Sequence, residues 1–280
     1  MTANRTEASG IGLEVEFTGV SARTAISALQ AALGGSVFEE DPHAYQLRAS
    51  AIGDIWVELD VRHAHPQRHG AVLAFNPGRQ LAAAFGSLIS PFAPREMILP
   101  PRPVGQLAEV DEAIAILRRA GARGDGAIPF DTLGLHFNIG TPADDIIHIR
   151  ATTLAFARLD PELRAEIAQG GKRAARMAPP FPQAYVRLLE TGSPYQEPGA
   201  FIDDYLAHNP TRDRALDLLP LLLHLDGARV RRRLPYEKIS ARPVFHWRLP
   251  LARVGRENWS ILPSWRAWER VEAMAETLRA

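Results

Sequence analysis

Alternation of apolar and polar residues constrains this chain more than any other feature, because a period of two fits a half-buried strand and no helix. In GLEVEF, residues 12–17, it puts acids where solvated strands rarely have them. Successive side chains of a strand point to opposite faces, so Ile11, Leu13, Val15 and Phe17 share one face and Glu14 and Glu16 the other. The two carboxylates then stand about 7 Å apart on one surface. A divalent cation bound to phosphate is one candidate for what would sit between them; a half-exposed strand with solvated acids is the other reading.

The same design recurs along the chain. DIWVELDV sets Ile55, Val57, Leu59 and Val61 against Asp54, Trp56, Glu58 and Asp60, and REMILPP carries Glu96. GLHFNIG turns Leu135, Phe137 and Ile139 inward and His136 and Asn138 the other way. In ARPVFHWRLP, Arg242, Val244, His246 and Arg248 oppose Phe245, Trp247 and Leu249. With the apolar faces packed under helices, the opposite surface collects Glu14, Glu16, Glu58, Asp60, Glu96, His136, Asn138, Arg242, His246 and Arg248. Oxygen ligands with a few imidazoles suit Mg²⁺ or Mn²⁺, and arginines suit phosphate oxygens, so such a surface would take a metal–nucleotide complex.

Helical periodicity fills the intervals. Ser21 caps a predicted helix that Gly34 and Gly35 stop, a further helix is expected over 79–89, and LAEVDEAIAILRRAGA reads as another. From about 143 to 226 helical segments dominate, among them ADDIIHIRATTLAFARLD, DPELRAEIAQ, FIDDYLAHN and TRDRALDLLPLLLHLD, and SWRAWERVEAMAETLR closes the chain. Separated strands without strict β-α alternation predict an α+β domain with an antiparallel or mixed sheet, one unit over 1–280 with a mainly helical insertion at 143–226.

Bulk composition narrows the partners. Thirty-two basic and 32 acidic side chains give a formal net charge of zero, so no global field favours nucleic acid or an anionic membrane. The absence of cysteine excludes disulfides, thiol catalysis and thiolate-bound metals. The first ten residues lack the apolar core of a signal peptide, and LDLLPLLLHL is too short and proline-broken to span a bilayer; a cytoplasmic protein is expected. His63, His65 and His69 read as a surface loop without a completing ligand, GARGDGA as a turn, and the arginines from Arg229 to Arg233 as a solvated run or phosphate-side contact. Trp259, Trp265 and Trp268 are expected to pack the closing helix onto the sheet.

Taken in order, GLEVEF, VELD, EMILPP, GLHFNIG, FIDDYLAHNPTRDRALDLLPLLLHLD and ARPVFHWRLP resemble the amidoligase family, which is similar to glutamine synthetase and the glutamate–cysteine ligases. The resemblance runs over almost the whole chain. It implies a glutamine-synthetase-like curved antiparallel sheet and an ATP-dependent carboxylate–amine ligase that uses Mg²⁺ or Mn²⁺ and proceeds through an acyl phosphate. Glu14 and Glu16 match the family's Glu-x-Glu metal ligands, and His136 matches its histidine after a Gly-hydrophobic pair. Arg248 matches the arginine of a Glu-x-Arg strand, where this chain departs by carrying His246 in place of the metal-binding glutamate. Glu58, Asp60 and Glu96 match acidic motif positions.

The expected metal ligands are therefore Glu14, Glu16, Glu96, His136 and His246; Arg242, Arg248 and Asn138 are expected at the nucleotide. Arg242 and Arg248 would also aid phosphoryl transfer, with Asp60 or Glu58 as base for the amine. Partners are small-molecule or peptide carboxylates and amines, with room for a homo-oligomer. Two other readings stay open: a metal-dependent phosphohydrolase, and an inactive relative that binds nucleotide or peptide.

Overall fold

The computed structural model describes residues 10–59, 94–124, 133–143, 145–168, 177–191 and 195–279. These form eight strands and eight α-helices, a mixed α+β architecture whose paired strands β2–β3, β3–β4, β4–β5, β6–β8 and β7–β8, in chain order, all run antiparallel. The chain divides into two compact units. A sheet unit comprises Leu13–Leu135 with Leu251–Ile261; a helical unit comprises Met1–Gly12, His136–Pro250 and Leu262–Ala280.

In the sheet unit the strand order is β2 (Ser36–Asp41), β3 (Ala44–Ser50), β4 (Gly53–Leu59), β5 (Arg95–Arg102) and β1 (Ile11–Phe17). The alternation in β1 is realised as expected: Ile11, Leu13, Val15 and Phe17 are fully buried, while Glu14 and Glu16 are half-buried. Helix α1 (Ala22–Leu33) buries Ala22, Ala25, Ile26, Leu29 and Leu33, one stripe at helical spacing, and packs on β3 and β4. Burying Ile26 and Leu29 contributes roughly 1.5–3 kcal/mol each. The Ser21 hydroxyl accepts from Thr24 N–H at 3.0 Å, and Gly34 ends the helix at φ 70°, so both sequence signals act as read. Helix α2 (Leu107–Arg119) carries Asp111, whose carboxylate accepts from the Ser260 hydroxyl at 2.6 Å and Ile261 N–H at 2.9 Å and so ties down the 251–261 segment.

In the helical unit β6 (Leu135–Gly140), β8 (Val244–Trp247) and β7 (Leu216–Asp217) lie in that order. Helix α3 (Ile146–Ala168) runs unbroken through Pro161, where the sequence reads as two segments. Proline forfeits one helical hydrogen bond there, and packing compensates: Phe156, Asp160 and Leu163 are buried around the break. Glu162 and Glu166, one helical turn apart, both bind Arg270 of α8 (Leu262–Arg279), each at 2.7 Å. Between α3 and α8 come α4 (Gln183–Thr191), α5 (Pro198–His208), α6 (Leu219–Leu225) and α7 (Gly227–Arg233). Trp268 lies 5.4 Å from Trp247, 6.1 Å from Phe245 and 6.4 Å from Phe156, and Trp265 lies 6.1 Å from Phe137 (ring centroids). Those contacts put α8 on the apolar face of β6 and β8, as expected for Trp265 and Trp268; Trp259 falls in the other unit. No helix among the described residues is long and apolar enough to cross a membrane.

Candidate metal centre

With Phe137, Ile139, Phe245 and Trp247 spent on the aromatic core, the pleat sends His136, Asn138 and His246 to the opposite face. Sequence reading treats that face as a polar surface. It is in fact enclosed: His136 is 7% exposed, Asn138 6% and His246 2%. Asn138 and His246 are direct cross-strand partners. The two imidazoles meet edge to face, with centroids 5.4 Å apart and planes at 84°, and a ring nitrogen of each lies within 4.8 Å of one on the other. Two nitrogen ligands at that spacing, in a site this enclosed, are a suitable pair for a borderline divalent ion, and carboxylate ligands beside them would extend the range to harder ones.

On the far side of His246 stands a residue that sequence reading misses. Asp217 of β7 is its direct cross-strand partner and is fully buried. One carboxylate oxygen, Oδ1, accepts from Leu219 N–H at 3.0 Å; the other lies 3.4 Å from Arg212 Nε and 3.5 Å from His246 Nδ1. The last separation is an electrostatic contact rather than a short hydrogen bond. Arg212 also donates to the Lys238 carbonyl at 2.9 Å. Burial first, and the Asp217 carboxylate second, push the pKa of the Tyr205 hydroxyl upward. The apolar run from Leu216 to Leu225 hides Asp217, because it reads as one helix. The usable signal is Pro220, which favours the first turn of a helix and so leaves the preceding residues free to be strand.

The two arginines expected on the last strand fall beyond its ends, since β8 spans only Val244–Trp247. Arg248 still binds the Ala215 carbonyl through its backbone N–H at 2.8 Å, in register with the Leu216–Trp247 pair, and its Nη1 donates to the Arg212 carbonyl at 2.7 Å. Arg242 is half-buried, its backbone N–H on the Pro220 carbonyl at 3.0 Å. The sheet unit holds the acids. Glu58 and Glu96 stand directly opposite one another on β4 and β5, both half-buried, and concentrate negative charge on one face. The Glu16 carboxylate accepts from Gly134 N–H at 2.7 Å, so one of its oxygens is committed to the backbone. Asp60, the predicted helix over 79–89 and the loop with His63, His65 and His69 lie outside the described residues.

Within the helical unit, the buried pair of His136 and His246 offers two imidazole nitrogens that could hold a metal ion. Residues 7–269 match the family described as "putative amidoligase enzyme", and the chain belongs to that family, whose description points to a ligase-type enzyme. No curated protein and no solved structure matches the chain.

Proposed function

We propose that the protein is an ATP-dependent ligase that joins an amine to the carboxylate of an amino acid or peptide, on a sheet of the glutamine-synthetase type. The buried, adjacent pair of His136 and His246 carries this reading, within a chain that matches an amidoligase family over most of its length. The family resemblance adds Glu14, of the Glu-x-Glu pair on β1, as a further ligand of a divalent cation. The donor set is carboxylate and imidazole in a chain without cysteine, which fits Mg²⁺ or Mn²⁺.

Bound there, the cation would neutralise charge that builds on phosphoryl oxygens during transfer from ATP to the substrate carboxylate. The protein's own groups supply the rest. Arg248 and Arg242 offer planar donors to phosphate oxygens, and Asn138 offers an amide donor. Glu16 and Glu96 are further metal ligands, Glu96 from a face where a second carboxylate, Glu58, stands opposite. Glu58 or Asp60 takes a proton from the incoming amine, which must be neutral to displace phosphate from the acyl carbon.

The test is ADP release with Mg²⁺ across a panel of amines and carboxylates. Release that requires one amine and one carboxylate together is expected. Nucleotide hydrolysis indifferent to amine would replace the reading with a phosphohydrolase, and nucleotide binding without turnover would replace it with an inactive relative.

A further inference from the structure

We infer that Asp217 is a positioning residue: it holds His246 in the tautomer that carries its proton on Nδ1, which leaves Nε2 as the ring atom that faces a cation. The inference rests on the metal-site reading above for its consequence, but its structural core is local to β7 and β8. Three observations carry it. Asp217 is the direct cross-strand partner of His246, and the side chains of both are almost wholly removed from solvent. The Asp217 carboxylate cannot turn freely, because Leu219 N–H at the start of α6 fixes Oδ1 at 3.0 Å. Its Oδ2 accepts from Arg212 Nε at 3.4 Å and lies 3.5 Å from His246 Nδ1, near enough to bias the ring's proton electrostatically.

A carboxylate can only accept hydrogen bonds from such neighbours, so the neutral imidazole facing it is favoured with its proton on Nδ1. Nε2 then keeps its lone pair. Histidines that bind metals commonly have a carboxylate beside their other ring nitrogen, and loss of that partner costs roughly 10–100-fold in metal affinity. A bland alternative exists: Asp217 would merely cap α6 and pair with Arg212. The two roles part in the variant Asp217→Asn. Leu219 N–H still demands an acceptor, so the asparagine oxygen takes the Oδ1 place and its NH₂ group faces Nδ1. A donor there drives the imidazole proton to Nε2 and blocks the lone pair, while the cap on α6 survives.

The experiment reads both consequences. Nitrogen-15 chemical shifts of the histidines in the metal-free protein, assigned against His246→Gln, report the tautomer of His246 directly. Mn²⁺ titration followed by electron paramagnetic resonance reports affinity without any turnover. The expected result is the Nδ1–H form in the wild type, the Nε2–H form in Asp217→Asn, and Mn²⁺ affinity lower by about 10–100-fold in the variant. A wild-type His246 protonated on Nε2, or an Asp217→Asn protein that binds Mn²⁺ as tightly as wild type, overturns the inference. The nitrogen shifts of the wild type decide it even if the variant fails to fold. Failure of the wild type to bind Mn²⁺ at all would instead sink the proposed function, and the tautomer would still be judged on its own spectrum.

Discussion

Glu14 and Glu16 look equivalent in sequence, and the structure predicts that they respond differently to loss of charge. Glu16→Gln keeps an oxygen that can accept from Gly134 N–H, but a charge-assisted bond at 2.7 Å becomes a neutral one. The cost is about 1 kcal/mol of folding stability. Glu14→Gln should show its loss in the stabilisation that added metal brings, measured against the variant's own metal-free state. At a metal concentration about 100 times Kd, binding stabilises the folded state by about 2.7 kcal/mol. A loss of affinity of about 10-fold reduces that to about 1.4 kcal/mol, and one of about 100-fold to about 0.4 kcal/mol. The assay is thermal melting of wild type and both variants with and without Mn²⁺, beside ADP release. If Glu14→Gln gains as much from Mn²⁺ as the wild type does, Glu14 is not a ligand and the first strand is structural. If Glu16→Gln melts with the wild type in the absence of metal, the tie to Gly134 contributes nothing.

Three further outcomes follow from particular contacts. Burial raises the pKa of the Asp160 carboxyl despite Arg164 at 3.1 Å, so the folded state holds its proton more tightly than the unfolded chain. Stability should therefore fall as pH rises from the ordinary carboxylate value through the raised one, and Asp160→Asn should flatten that slope in urea titrations. Gly35 sits at φ 88° with the Arg48 carbonyl where a Cβ would go, whereas Gly34, at φ 70°, has open space around it. Gly35→Ala should cost about 2–3 kcal/mol and Gly34→Ala about 1 kcal/mol, read as shifts in the urea midpoint. Arg248→Lys keeps the charge and loses the planar fork, so amine-dependent turnover should drop by roughly 100-fold while calorimetric ATP affinity changes little. A loss that lies wholly in ATP binding would remove Arg248 from the transition state.

Much of the fold is legible in the sequence wherever one physical rule dominates. Strand alternation in β1, β6 and β8 separates the buried from the polar faces, since a one-residue slip would put Phe137 and Trp247 on the wrong side. The cap at Ser21 and the stop at Gly34 are equally direct. Local pattern falls short where tertiary context diverges from it. The hairpin of β2 and β3 is hard to see because SVFEED is largely exposed and shows no clean alternation; its turn signal is Asp41, whose carboxylate accepts from His43 N–H at 2.7 Å. Asp217 is hidden in an apolar run, and Pro161 suggests a helix break that packing by α8 overrides. The enclosure of His136 and His246 is not readable either, because alternation reports which residues share a face and not what covers it.

The most direct test of the central claim is the ligand field of bound Mn²⁺. Electron spin-echo envelope modulation on the wild-type protein should show coupling to imidazole nitrogen, and that coupling should weaken in His136→Gln and in His246→Gln and vanish in the double variant. Tightly bound Mn²⁺ without nitrogen modulation, or modulation that survives the double variant, would mean that these two histidines do not hold the metal.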